Sequence, residues 1–237
     1  MTVSTEILPL DLRPLARIVG GSLLATIVVG VAGALTVAQG IDINLSADVV
    51  ATAQNMLEAE TQLRAKSYIA LVMFGLEATI GIGLFLLLRP AGQLLAAWSL
   101  IVSIAAATLS LLGAVFNMNA AELAGDIAYA QMASESQRLL MTGLQATSDY
   151  TSFHLALVLS SVSKGGFFYL FLKSGLIPKL IAGWGLFASL FVSTAIILRD
   201  FIPIIGHSSV TASFMVSNLI ALVATALYLA IKGVRTT

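Results

Sequence analysis

The chain of 237 residues contains no cysteine, which excludes disulfides, thiolate nucleophiles, iron–sulfur clusters and thiolate zinc sites. Charge is almost as scarce: 10% of residues are Asp, Glu, Lys or Arg, against about 25% in a soluble domain. Twelve basic residues balance twelve acidic ones, for a formal net charge of zero. That excludes the basic footprint of a nucleic-acid binder and the charge imbalance of a disordered tail. Gly-rich phosphate loops, H-E-x-x-H and paired metal-binding carboxylates are missing too. What remains is apolar, with 58% hydrophobic residues and a mean hydropathy of +0.98. A water-soluble enzyme does not have this composition.

A bilayer core is crossed by roughly 20 apolar residues in helix, and six windows qualify, near 18–38, 68–88, 94–116, 151–172, 180–198 and 212–231. The first also resembles a secretory signal, since Arg13 and Arg17 precede it, but its length of about 21 residues exceeds a usual signal core, so it reads as a true span. Short turns at Arg89–Gln93 and Lys173–Lys179 each hold a Pro and a Gly, which stop one helix and allow reversal. The spans they join are antiparallel neighbours. No internal repeat aligns the two halves, which gives no support to an inverted-repeat transporter.

Two longer stretches, 39–67 and 117–150, read as amphipathic helices on one end of the bundle. Ser46 followed by Asp48 suggests a helix start, after which Val49, Val50, Ala53, Met56 and Leu57 recur at helical spacing. The second carries Leu123 and Ile127, then Leu139, Leu140 and Leu144, among Glu122, Asp126, Glu135 and Arg138. Each is read either as a solvated helix or as a lid or docking face. The predicted fold is therefore all-α, a single polytopic domain over 1–237: six transmembrane helices with two amphipathic helical segments on the outer side.

Charges sort by side. The side with the termini and short turns carries seven basic residues, while the opposite side has Arg64, Lys66, Arg138 and Arg199. The positive-inside rule places both termini in the cytoplasm. Glu6 and Asp11 are the acidic residues inside and nine others lie outside, so the net is +5 inside and −5 outside.

Two charges are left within spans, Glu77 in the second and Lys164 in the fourth. A charge at mid-bilayer costs about 2.5–3.5 kcal/mol on insertion scales. Their depths from the outer boundary, about 14 and about 20 Å, allow pairing if the spans are adjacent. A structural ion pair, a proton- or ion-coupled site, a ligand contact and a snorkelling lysine all remain open. Ser161-Val162-Ser163-Lys164 spells S-x-x-K, an acyl-transfer pattern, but Ser161-x-x-x-Gly165 is better read as close helix packing, and no catalytic residue is assigned. His154, near the mouth of the fourth span, and His207, in the loop after the fifth, lack the spacing of a metal or haem site. Asn117 and Asn218 suit helix–helix hydrogen bonds, with Asn218 the better placed to face a polar cavity. Trp98 and Trp184 suit interfacial anchoring, and Phe167, Phe168, Tyr169 and Phe171 suit bundle packing. Ligand- or ion-coupling candidates are thus Glu77, Lys164, Asn218 and His154, with no metal.

The run Tyr169-Leu170-Phe171-Leu172-Lys173-Ser174-Gly175-Leu176-Ile177-Pro178-Lys179, followed by Gly183-Trp184-Gly185, resembles a family of bacterial six-span membrane proteins defined only as a domain of unknown function. Ala51-Thr52-Ala53-Gln54-Asn55-Met56, Glu60, Arg64 and Arg89-Pro90 add to the likeness, which extends over roughly 15–235. Members usually carry arginine where this chain has Lys179, and an acidic residue near Ala70; Glu77 and Lys164 are not family features. The resemblance implies six spans and a cytoplasmic turn but no activity. Expected function is an integral protein of the bacterial cytoplasmic membrane, non-enzymatic, binding a ligand or docking a partner. The alternatives are a small transporter using Glu77 and Lys164, or an intramembrane lipid-modifying enzyme. No cofactor is expected beyond a bound lipid. The bilayer is the expected partner, with a homo-oligomer or membrane-protein partner as a further expectation and no nucleic acid.

Overall fold

A computed structural model describes residues 12–46, 48–125 and 130–235. Glu6, Asp11, Asp126 and Ile127 lie outside the described residues. Among the described residues eight α-helices follow in order: α1 Leu12–Thr36, α2 Ile43–Ser46, α3 Val49–Leu57, α4 Glu60–Leu88, α5 Gln93–Ala124, α6 Glu135–Ser174, α7 Lys179–Arg199 and α8 Ser208–Lys232. Six of them, α1 and α4 to α8, are long and apolar enough to cross a membrane, and no strand is present among the described residues. Large apolar side chains such as Val28, Leu35, Ile101 and Leu190 point outward, as they do when the surrounding solvent is lipid.

The six long helices close into a ring in chain order, each packed on the next and α8 returning to α1. Small residues and buried hydroxyls make the contacts, as expected where lipid supplies no hydrophobic drive for helices to associate. Gly83 on α4 approaches Val19 on α1, and Gly185 on α7 approaches the Phe168 ring on α6. Ser67 Oγ donates to the Ala114 carbonyl across α4 and α5 at 3.1 Å. Ser163 Oγ donates to the Ser99 carbonyl across α5 and α6 at 2.7 Å. Gly165, the residue at the end of the Ser161-x-x-x-Gly165 pattern, packs on Ser189 of α7. Trp184 Nε1 donates to the Ser217 carbonyl and ties α7 to α8.

The end of the bundle that holds the termini is solid. Its core includes Ala16, Val19, Leu84, Leu88, Phe167, Phe168, Phe171, Ala226 and Leu229, so three of the aromatic residues clustered on the fourth span are packing residues, whereas Tyr169 is exposed on the helix surface. The family-like turn closes this end. Gly175 ends α6 in the left-handed region at φ 67°, which favours glycine. Ile177 is fully buried, and the Leu176 carbonyl accepts from the Arg235 backbone N–H at 3.0 Å.

The opposite, distal end is built differently. At about 1.5 Å per residue, the 40 residues of α6 and 32 of α5 outrun a hydrocarbon core of about 30 Å. The second amphipathic segment therefore forms as continuations of α5 and α6 rather than as an element of its own. Its buried face is Leu123, Thr142 and Ala146, whereas Leu140 and Leu144 are exposed. Ser134 starts α6 with a capping box completed by Gln137. Arg138 Nε donates to the Leu123 carbonyl at 2.9 Å and so closes the C-terminus of α5. The first amphipathic segment is α3, capped by Asp48, whose Oδ1 accepts from Ala51 N at 3.0 Å; Ser46 ends α2 instead. Ala53 and Met56 are buried and Val50 is exposed, because α3 turns its Thr52, Ala53 and Met56 face toward α5 and α6. Ile41, Ile43, Met56, Leu63, Ala120 and Ala146 form this distal cap.

Ring closure rests on Gly20. A Cβ there would stand 2.8 Å from the Ala226 carbonyl oxygen and 2.9 Å from Ala230 Cα, both backbone atoms, whereas one at Gly21 would meet nothing within 4 Å. Gly20→Ala should lower stability by about 1–3 kcal/mol, the usual cost of overpacking. Gly21→Ala should not destabilise. Thermal unfolding of the two purified variants in one detergent checks the contrast.

Candidate functional site

The distal half of the ring is not filled by side chains. All six long helices line a single cavity of about 990 Å³ there, at the upper end of the usual range for small-molecule sites. Its middle is apolar, with Met73 and Phe74 from α4, Phe153 and Leu157 from α6, and Phe214 and Met215 from α8. Polar groups concentrate at its two ends.

At the distal rim Lys66 of α4 stands between two carboxylates. Its Nζ lies 2.9 Å from Asp42 Oδ2, in the loop after α1, and 2.8 Å from Asp149 Oδ2 on α6. The three side chains retain 17%, 16% and 17% exposure respectively. Ions this dehydrated persist only as a compensated group. Gly113 of α5 makes the room, since a Cβ there would collide with the Asp149 carboxylate. Burial raises the Asp42 carboxyl, but the Lys66 charge and the hydrogen bonds from Lys66 and Asn44 outweigh it and hold the group below its ordinary value. Farther out, Arg64 bridges Glu60 and Glu122, each at 2.9 Å.

Beside this triad lies a second rim cluster. Arg199, from the end of α7, donates through Nη2 to the Tyr150 hydroxyl at 2.7 Å and to His154 Nε2. His154 Nδ1 sits 3.0 Å from the Tyr150 carbonyl, so Nδ1 carries the proton and Nε2 accepts; this network defines a neutral imidazole. Among the described residues Arg199 meets a carboxylate only at 3.8 Å, on the exposed Asp200.

Glu77 and Lys164 form the floor. They line both the large cavity and a small apolar continuation of about 50 Å³ beneath it. Their helices are separated in the ring by α5, and among the described residues no ion pair joins them and no other side chain holds either one. Ser160, Ser103 and Ser110 add hydroxyls to the lining, but Ser161 does not reach it. Ser161 is buried, and no hydrogen bond links it to Lys164, so the S-x-x-K spacing does not assemble a nucleophile and base here.

Of the residues singled out in the sequence, Glu77, Lys164 and His154 thus share one cavity. Asn218 is half-buried on α8 outside the lining, because that helix turns Phe214 and Met215 inward. Asn117 lines it instead, donating to the Gly113 carbonyl at 2.8 Å while its Oδ1 finds no partner. His207 is taken up in capping α8, its Nδ1 accepting from Ser209 N. Lys66, Asp42, Asp149 and Arg199 escaped sequence reasoning because their positions beyond the apolar windows make them look like solvated loop charges. The signal available was the position of Lys66, two residues before a span.

The ring, its distal cap and its charged cavity define a six-span helical membrane protein. The chain matches the model of the domain of unknown function DUF4386 over residues 18–233, and so belongs to that family. No curated protein and no solved structure matches it.

The triad sets a pH dependence with a definite sign. A depressed Asp42 carboxyl contributes stability that is fully present above the ordinary carboxylate value and is lost as pH falls through its lowered folded value. In Lys66→Met the cation that lowers Asp42 is gone and burial raises its carboxyl instead, so acidification stabilises the variant. At neutral pH the variant should lose roughly 2–3 kcal/mol. Unfolding midpoints from neutral pH down to about pH 3, across the ordinary carboxylate value, check both the loss and the inverted slope.

Proposed function

We propose that this is a non-enzymatic ligand-binding protein of the bacterial cytoplasmic membrane, holding an amphipathic molecule in its distal cavity. Both termini lie in the cytoplasm and the cavity faces outward. The excess of basic residues on the terminal side supports that orientation. The observation that carries the reading is the cavity itself: about 990 Å³, lined by every long helix, apolar in the middle and charged at both ends. Solvent-filled apolar walls would be unfavourable, whereas an amphiphile satisfies walls and ends together.

Transport is the second reading, favoured by the unpaired Glu77 and Lys164 on the cavity floor. Beneath them, however, the path ends on Leu84, Phe167, Phe168 and Phe171, and the terminal half is solid. A storage, sensing or presenting role needs no second opening, and is preferred for that reason.

Native mass spectrometry of the protein released from lipid nanodiscs tests the proposal. The wild type should carry a bound amphiphile in defined stoichiometry. Ala107→Phe, which projects a ring into the lining, should lose it while keeping a melting temperature within a few degrees. A wild type free of adduct, or a variant that retains the same adduct, contradicts the reading.

A further inference from the structure

The distribution of polar partners at the two ends of the cavity restricts what fits between them, if the ligand-binding reading above holds. At the rim, Asp42 and Asp149 are committed to Lys66. Among the described residues Arg199 has no carboxylate nearer than the exposed Asp200 at 3.8 Å. Its Nη2 is taken by Tyr150 and His154, and among the described residues no hydrogen bond is made by its other terminal nitrogen. Tyr150 accepts from Arg199, which leaves its own hydroxyl proton to donate. A guanidinium and a phenol proton at one rim favour a planar anion. Lys66 is spent on Asp42 and Asp149, and among the described residues Arg199 is the cation left at the rim, so a single negative charge suits it better than a dianionic phosphate.

The floor selects differently. Glu77 accepts and Lys164 donates, and among the described residues neither is held by another side chain. A second carboxylate there is repelled by Glu77, and an ammonium by Lys164. A neutral group that both donates and accepts, such as a hydroxyl, satisfies both. From His154 at the rim to Lys164 at the floor is ten residues of one helix, about 15 Å. An extended chain of roughly twelve carbons covers that distance.

We infer that the ligand is an elongated monocarboxylic acid with a distal hydroxyl-type group. Its carboxylate sits at Arg199 and Tyr150, its apolar body lies along Phe74, Phe153 and Met215, and its neutral polar end lies between Glu77 and Lys164. The two ends act as separate determinants: the rim binds any acid of this class, and the floor distinguishes those with a polar terminus.

Equilibrium binding to the full chain in lipid nanodiscs tests this, with dodecanoate, ω-hydroxydodecanoate and dodecanedioate as probes. The wild type should bind ω-hydroxydodecanoate at least about tenfold tighter than dodecanoate, the gain from one hydrogen-bonded group between charged partners. Dodecanedioate should gain less. Lys164→Met should bring the hydroxy acid down to the level of dodecanoate without weakening dodecanoate, and Arg199→Gln should weaken both in equal proportion. Should Lys164→Met fail to fold, Glu77→Leu removes the acceptor instead and should likewise narrow the gap between the hydroxy acid and dodecanoate. Equal binding of dodecanoate and the hydroxy acid by the wild type overturns this inference and leaves the ligand-binding reading standing. So does a Lys164→Met variant that weakens both alike. Failure of the wild type to bind any of the three overturns this inference, and an absent adduct in mass spectrometry then removes the broader reading as well.

Discussion

A single ammonium group, Lys66 Nζ, joins three parts of the chain that otherwise have little reason to meet. Asp42 comes from the loop after α1, Lys66 from α4 and Asp149 from α6, and Gly113 of α5 is the gap into which Asp149 fits. Because all three charges are largely removed from water, none is tolerable alone. Their mutual need fixes how far the distal halves of these helices stand apart. In the terminal half the spacing is set by contact, with Gly20 against Ala226 and Ala230 and Gly83 against Val19. In the distal half it is set by the triad and by the cap of α2 and α3. A bundle closed by small residues at one end and held by charges at the other has an interior space where the two regimes meet.

That space explains how two intramembrane charges are borne. Glu77 and Lys164 do not neutralise each other by contact; they line the bottom of a cavity with hydroxyls around it. A polar interior reduces the cost that an isolated charge meets in hydrocarbon. It also gives the two residues a role that a buried ion pair would not have, since their hydrogen-bonding capacity stays directed at whatever occupies the cavity. The rim works the same way. Arg199 is steadied by Tyr150 and His154 and, among the described residues, is not matched by a buried carboxylate, so its charge remains available.

The spans were legible because hydropathy over 20 residues reflects a solvent requirement that no tertiary contact overrides. Where helices begin and end was less so. Beyond the bilayer, α5 and α6 continue as ordinary amphipathic helix, and Leu140 and Leu144 recur at helical spacing without being buried. The ring order depends on α8 meeting α1 through Gly20 and Ala226, and small residues are too common in spans to reveal which pairs touch. Depths that would let Glu77 and Lys164 pair could be read from position alone, but helix order decides that they face a cavity rather than each other. The rim was hidden for a different reason: a charge just past an apolar window looks solvated, and only the cap shows that Lys66 and Asp149 are not.

The claim on which the account stands is that an elongated molecule occupies the distal half of the ring. A density map of the protein reconstituted in lipids from its own source would test it most directly. The account predicts continuous, elongated density running from Arg199 to the level of Lys164, with the Asp42–Lys66–Asp149 triad intact above it. Helices collapsed together with no space between them, or a cavity holding only separate waters, would contradict it.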